Sequence, residues 1–407
     1  MRCGRTAPVT LEALRGDADA LGDKLTRLRR AIHAEPELGL DTPRTRDKIR
    51  AALADLPLEW SEGPSTTGVV ALLRGRAGDG RSVLLRGDMD ALPMPEETGL
   101  AFASTTPGTM HACGHDAHVA MLAGAAELLC ARRDHLRGEV RFMFQPGEEG
   151  WHGARYMLDD GLLDPLPDAA FALHVMPNAP FGILAGRAGA LLAAADQLEI
   201  VVEGSGGHAS MPHQTRDPVP VACEIVLALQ TLVTRQFDAH DPVVVTVTQL
   251  DAGTAHNVIP DRAVLRGTLR TLSPGHRERL QESVRLLAAG IAGAHGLTAE
   301  VRIEEGYPPT ICDPRAVALG SQVARELFGP AAFLPLEAPI MGAEDFSYVL
   351  EKVPGAMFFI GVAAQGSDWA ACCGIHSTKM MLDENAMPRG AAMLAGLAER
   401  FLERGFG

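Results

Sequence analysis

No run of about eighteen uninterrupted apolar residues occurs in this 407-residue sequence, so no segment is expected to span a membrane. Met1 to Lys24 holds no apolar stretch of the kind a secretory leader carries. The seven cysteines (Cys3, Cys113, Cys130, Cys223, Cys312, Cys372 and Cys373) are too few and too scattered for a disulfide scaffold. Cys372 and Cys373 are adjacent, a poor geometry for an ordinary bridge. These absences together point to the cytoplasm. Lys and Arg number 37 against 51 Asp and Glu, a formal charge of −14, which argues against nucleic acid or an anionic membrane as the main partner. Net charge does not exclude a local basic pocket for a small anion. Aromatic residues make up 5% of the chain, which leaves open what would fill a pocket. There is no internal repeat and no low-complexity tract.

What is present describes an ordinary globular protein, with 46% hydrophobic and 22% charged residues. The length exceeds a single core, so two domains are expected. Leu21, Leu25, Leu28 and Ile32 mark an amphipathic helix that stops before Pro36. Residues 69–73, 82–86, 140–144 and 169–174 read as strands, and 117–131 as a helix. This alternation predicts α/β layering, with Asp88, Asp90, Glu148, Glu149 and His174 near strand carboxyl ends, where open α/β sheets gather their sites. From 197 to 303 the order becomes strand, helix, strand, strand, helix, strand, the βαββαβ pattern of ferredoxin-like domains. The expected layout is a first part of a catalytic domain over 1–187, an insertion over 188–303, and the rest of the catalytic domain over 304–407, with a strand at 357–361 and a terminal helix at 385–403.

The densest chemistry is His111-Ala-Cys113-Gly-His115-Asp116-Ala-His118, followed by Gln145-Pro-Gly-Glu148-Glu149-Gly150. A thiol and imidazoles suit a transition metal, and hydrolysis at a metal needs a further carboxylate to take a proton from water. Alone, Cys113 and His115 would read as a buried thiol near a histidine, and Glu148-Glu149 as a solvated acidic loop. Each makes the other more telling. His118 fits a supporting partner or a plain helix residue and is left out of the ligand set. Asp88 and Asp90 share one side at strand spacing, and either suits ligation or holding a ligating imidazole by its other nitrogen. His174 and His376 become ligand candidates because five donors suit a two-metal site with ions about 3.5–4 Å apart. The glycine-rich Gly204-Ser-Gly-Gly-His208 has no GKS or GKT continuation, so it is not a nucleotide loop. It is placed instead to deliver an imidazole to a developing oxyanion, or is simply a surface loop. Asn257 and Arg270 are polar groups at strands of the insertion, and an Arg fork suits a substrate carboxylate.

Eight stretches together resemble the metal-dependent aminoacylase/carboxypeptidase family, in its hippurate hydrolase and auxin-conjugate amidohydrolase branch. They are His33-Ala-Glu-Pro-Glu-Leu-Gly39, Arg86-Gly-Asp-Met-Asp-Ala-Leu-Pro93, His111 to His118, Phe144 to Gly150, Gly207-His-Ala-Ser210, His256-Asn-Val-Ile-Pro260, Gly342-Ala-Glu-Asp-Phe346 and Gly374-Ile-His-Ser377. The resemblance implies a catalytic domain with a mixed sheet sandwiched by helices and an inserted lid that also forms a homodimer. It implies two divalent ions held by Cys113, His115, Glu149, His174 and His376, with Glu148 as general base and acid and Asp88 assisting. His208 would meet the oxyanion, across the dimer, and Asn257 and Arg270 would hold the substrate. The thiolate favours zinc, while related enzymes use manganese, cobalt or nickel. The expected reaction is hydrolysis of an N-acyl amino acid, hippurate-like or N-acetyl, to a carboxylic acid and a free amino acid. A dipeptidase or exopeptidase, or an N-acetyl-diaminopimelate deacetylase, would use the same site. A metal-binding protein without turnover would have no use for Glu148.

Overall fold

The computed structural model describes residues 11–407, which places Cys3 outside the described residues. The chain divides into two compact units, each with its own core. Of the described residues, the first comprises 11–189 together with Ile311–Glu337 and Tyr348–Gly407. The second comprises Ala190–Thr310 and Ala338–Ser347.

An eight-stranded mixed sheet forms the first unit. Its centre is four parallel neighbours, Glu139–Gln145, Ser82–Asp88, Ala169–Met176 and Gly355–Gly361. Val83, Leu84 and Leu85 are all fully buried, as are Phe142, Met143 and Phe144. Such unbroken apolar runs suit strands covered on both faces, where alternation would expose half the side chains to a core. Val69–Arg74 pairs antiparallel with Glu139–Gln145 and carries Glu59–Glu62 on its other edge. Because the central strands run the same way, their carboxyl ends meet on one edge of the sheet. There Asp88 is level with Gln145, and Arg86 with Ala172, which brings His174 level with Asp88.

The helix His115–Ala131 is apolar on every side and almost wholly buried. It packs on the Ser82–Asp88 strand and between the helices Gly22–His33 and Met387–Arg404. It begins at Gly114, whose φ of +84° is left-handed and whose Cβ, if it had one, would lie 2.4 Å from Val175 Cγ2. No other residue fits there. The strands and helices expected from pattern are present, with ends shifted by a few residues. The shift that matters is at Asp88, expected just past the end of its strand and found as its last residue, while the strand that carries His174 runs on to Met176.

The second unit is a four-stranded antiparallel sheet in the order Val244–Ala252, Arg262–Thr271, Ala194–Glu203, Thr298–Glu304. With the helices Pro218–Gln236 and Pro274–Ala294 this is the ferredoxin-like βαββαβ arrangement. Ile200, Val202, Ile225, Leu229, Leu265, Leu280 and Val284 form its core. Pro218–Gln236 passes for a membrane span by length and composition alone, although Glu224 and Arg235 interrupt it. Its Val221, Ile225, Leu229 and Leu232 stripe is the face that joins this core.

Phe358, fully buried on the Gly355–Gly361 strand, is held between two glycines. A Cβ at Gly320 would lie 2.1 Å from its Cζ, and one at Gly186 would lie 2.8 Å from its Cδ1. Gly320→Ala should therefore destabilise the fold by about 1–3 kcal/mol through overpacking, despite alanine's better helix propensity. The urea midpoint of the first unit's unfolding checks this, and an unchanged or higher midpoint would refute it.

Candidate metal centre

Asp90 organises the edge of the sheet. Its Oδ1 accepts the Glu148 amide at 2.9 Å and its Oδ2 accepts the Glu149 amide at 3.0 Å. Neighbouring side chains on an extended strand point to opposite faces, so two adjacent carboxylates would ordinarily diverge. Here the chain has left the strand at Gln145, and one carboxylate clamps both amides of the turn. As a result the donor atoms of Glu148, Glu149 and His115 lie within 4.8 Å of one another.

Two further triads share members with this one: Cys113, His115 and His174, and Cys113, Glu149 and His376. All five donors expected from the resemblance are thus brought together, with Glu148 beside them. Cys113 Sγ lies 3.4 Å from His174 Nε2. His376 Nε2 lies 3.1 Å from Glu149 Oε1, and its backbone N–H donates to Ala112 at 2.8 Å, which ties its loop beside Cys113. His376 has φ +62°, one of two described non-glycine residues in the left-handed region.

The imidazoles are oriented from behind. His115 Nδ1 lies 2.8 Å from the Asp90 carbonyl and His174 Nδ1 lies 2.7 Å from the Val175 carbonyl. A carbonyl only accepts, so each Nδ1 carries the hydrogen and each Nε2 presents a lone pair to the cluster. His115 Nε2 is buried and has no hydrogen-bond partner. His118 is different. Its Nε2 accepts the Val175 amide at 2.9 Å, so its Nδ1–H donates to Asp88 at 2.5 Å and neither nitrogen is left for a ligand. Asp88 also accepts from Arg86 Nη1 at 2.6 Å, and its Oδ2 lies 3.5 Å from His115 Nε2. Asp88 borders the cluster, whereas Asp90 supports it from the backbone.

The charges lean on one another. Burial opposes ionisation of Asp88, yet Arg86, His115 and His118 hold it well below the usual carboxylate range. Burial also opposes the charge on His115, but Asp88 and Cys113 carry its pKa well above the usual imidazole value, and a coordinated cation would take the place of that added proton at Nε2. Burial and the His118 ring keep His174 well below that value. Hydrogen bonds to Cys113 and Glu149 push His376 up to about 10. Burial pushes the Cys113 thiol up. A coordinated cation would reverse that, because it deprotonates a thiol outright. A thiol, a carboxylate and imidazoles with inward lone pairs fit divalent ions of the zinc class.

The sequence reading did not identify Arg86, Gln145 or the His33–Asp116 contact as structural parts of this edge. Arg86 Nε donates to Gln145 at 2.8 Å. Arg86, Asp88 and Asp90 alternate along one side of the chain, a signal the pattern did contain. Asp116, next to His115, accepts from Arg29 at 2.9 Å and contacts His33 Nδ1 at 2.8 Å, fastening the helix start to Gly22–His33. That contact spans eighty-odd residues and has no local signature.

The remaining candidates lie in the second unit. His208, exposed, pairs with Val258, and its Nδ1 accepts the Ser210 amide at 3.2 Å, so its Nε2 carries the hydrogen. The Asn257 carbonyl accepts from the Ala209 amide at 3.1 Å, which sets it beside His208. Arg270 is on the Arg262–Thr271 strand, opposite Val244 and Ala195.

Residues 84–400 match Peptidase family M20/M25/M40. The chain belongs to this family. Among curated relatives of this M20 chain, an IAA-amino acid hydrolase (ILR1-like 2) of Arabidopsis thaliana is 40% identical over 94% of the chain and 86% of its own length. An N-acetylcysteine deacetylase of Bacillus subtilis is 39% identical over 94% of the chain and 98% of its own length. Among solved structures, the Bacillus subtilis YXEP protein, described as a dinuclear metal binding peptidase from the M20 family, superposes with a TM-score of 0.82 at 36% identity, covering 94% of this chain and 99% of that one.

Removing the Asp90 clamp should loosen the turn directly. Asp90→Ala is expected to speed exchange of the Glu148 and Glu149 amides about ten- to a hundredfold, the scale of losing hydrogen bonds to a charged group. Hydrogen–deuterium exchange followed by mass spectrometry measures it, and unchanged rates would dismiss the clamp.

Proposed function

We propose that this protein is a metal-dependent amidohydrolase that cleaves the amide bond of N-acyl amino acids. The observation that carries this reading is the convergence of Cys113, His115, Glu149, His174 and His376 with a sixth group, Glu148, at the same edge of the sheet. These five donors would hold two divalent ions. Such ions, when bound, polarise an acyl carbonyl and make water acidic enough to attack near neutral pH.

The chain's own residues supply the rest. Glu149, turned toward His376 and Cys113, serves as a ligand. Glu148, directed to the same cluster by the same clamped turn, takes the proton from the attacking water. It then gives that proton to the leaving nitrogen as the C–N bond breaks. Asp88 fixes His118 and sets the charge at His115. His208, Asn257 and Arg270 keep the substrate-side roles that the resemblance implies, and the Ser210 amide leaves His208 in the tautomer that donates from Nε2. The N-acetylcysteine deacetylase relative supports the acyl-amino acid class. We further propose zinc or manganese as the resident ions, a homodimer through the inserted unit, and a cytoplasmic location. All six described cysteines are free, which fits a reducing compartment.

Hydrolysis of a panel of acetyl-, benzoyl- and aminoacyl-amino acids tests the substrate class. Cleavage of the first two supports this reading, and cleavage of the aminoacyl compounds alone would make the protein an exopeptidase. Glu148→Gln should keep the metal content of the wild type, measured by elemental analysis, while turnover falls by at least about a hundredfold. Near-normal turnover in that variant would remove Glu148 from its role. Dialysis against a chelator should abolish activity, and adding back zinc or manganese should restore it.

A further inference from the structure

Both ring nitrogens of His33 meet a carboxylate. Nδ1 lies 2.8 Å from Asp116 Oδ2, and Nε2 lies 3.1 Å from Glu96 Oε1. An ionised carboxylate accepts and does not donate, so each contact needs a hydrogen on the ring. A neutral imidazole has one hydrogen for these two acceptors, and the imidazolium has two. His33 and Asp116 are fully buried, and the Glu96 side chain is nearly covered. A buried carboxylate facing a bare ring nitrogen is costly, so the second hydrogen matters.

The surrounding charges favour it. Burial opposes charge on His33, as does Arg29 on the same helix, yet Asp116 and Glu96 raise its pKa. Burial opposes ionisation of Asp116, but Arg29 and His33 hold it well below the usual carboxylate range. Against burial, the Ser104 amide, the Thr98 hydroxyl and His33 hold Glu96 below that range too. Arg29 also turns to Glu384 at 2.9 Å, which shares its charge. The remaining ring neighbours are Phe102, edge-on at 5.4 Å, and His111 at 6.2 Å.

The two carboxylates belong to different ligand-bearing segments. Asp116 is the second residue of the helix that His115 opens. Glu96 adjoins Glu97, whose amide donates to the Thr378 carbonyl at 2.7 Å and whose Oε2 accepts from Thr378 Oγ1 at 2.9 Å. The His376 loop is therefore bonded on both sides, at His376 to Ala112 and at Thr378 to Glu97. The Ala34 carbonyl, beside His33, accepts the Thr105 amide at 2.8 Å and ties the Glu96 segment to the same helix end.

We propose that His33 is the positioning residue that keeps the His115 helix start and the His376 loop in register, through a ring that carries both hydrogens and bonds one carboxylate from each side. This rests on the metal-ligand reading above. Losing one hydrogen breaks one of the two bonds and frees a ligand-bearing segment, so bound ions escape faster. Because the partners raise the pKa of His33, the cross-link is whole below the ordinary imidazole range and is lost as pH rises through the raised value. Protonation of the ligands themselves acts the other way, since protons compete with metal at Cys and His.

The test measures release of zinc from the loaded protein into excess chelator, as the ratio of variant to wild-type rate, which cancels the titration of the ligands. At about pH 6, His33→Gln should release zinc about tenfold faster, and the ratio should approach one as the pH climbs and the wild type loses its proton. Hydrogen exchange of the metal-free protein gives a second readout. His33→Gln should speed the Glu97 and Ala117 amides, which bond to Thr378 and Gly114, about tenfold. Glu96→Gln should speed the Glu97 amide alone, and amides of the Ser82–Asp88 strand should be unchanged in both. Equal release at that pH, a ratio indifferent to pH, or exchange that rises evenly across the first unit would each overturn the cross-link. A wild type that takes up no divalent ion yet shows this exchange pattern would sink the metal reading and leave the cross-link standing.

Discussion

One carboxylate accepting two consecutive backbone amides sets the geometry of this protein's site. Glu148 and Glu149 are adjacent, and extended backbone would aim them apart. Asp90 bonds both amides and keeps the chain folded over after Gln145, so that both acids reach the donors of His115 and Cys113. A charged acceptor makes each of these bonds stronger than a neutral one. Without it, a ligand and a proton carrier could not come from neighbouring positions.

The sheet supplies the other half of the constraint. Parallel central strands bring Asp88, Gln145 and His174 to one level, and the helix starting at His115 docks against the same edge. Backbone carbonyls of Asp90 and Val175 then fix the hydrogens of His115 and His174 on Nδ1. Each lone pair that faces inward is therefore set by main-chain atoms, which substitutions elsewhere leave in place. His118 shows the contrast, because both of its nitrogens are committed to Val175 and Asp88.

Much of this was readable in the sequence. Apolar runs gave the buried strands, and the βαββαβ order of the insertion followed from alternating periodicities. The donors stood out because Cys113, His115, Glu148 and Glu149 are clustered in two short stretches. Three things were not readable. Spacing placed Asp88 and Asp90 on one side without separating their jobs, because the job depends on which backbone amides come near. The Arg29–Asp116–His33 link joins residues far apart in the chain and leaves no periodic trace. The close approach of Trp151 to Gly39 leaves no trace in the pattern either, because it depends on a side chain that is absent.

The helix from His115 to Ala131 has no solvent-facing stripe, and that has a consequence for how the protein tolerates change. Its first residue is a donor, its second is tied to Arg29, and at Gly124 a Cβ would lie 2.9 Å from both Ala391 and Leu25. Close-packed interiors pass displacement along rather than absorbing it. Repacking between this helix and the Met387–Arg404 helix would consequently move His115 relative to strands that stay fixed, so drift in the interior of the fold and drift in the chemistry of its edge are inherited together.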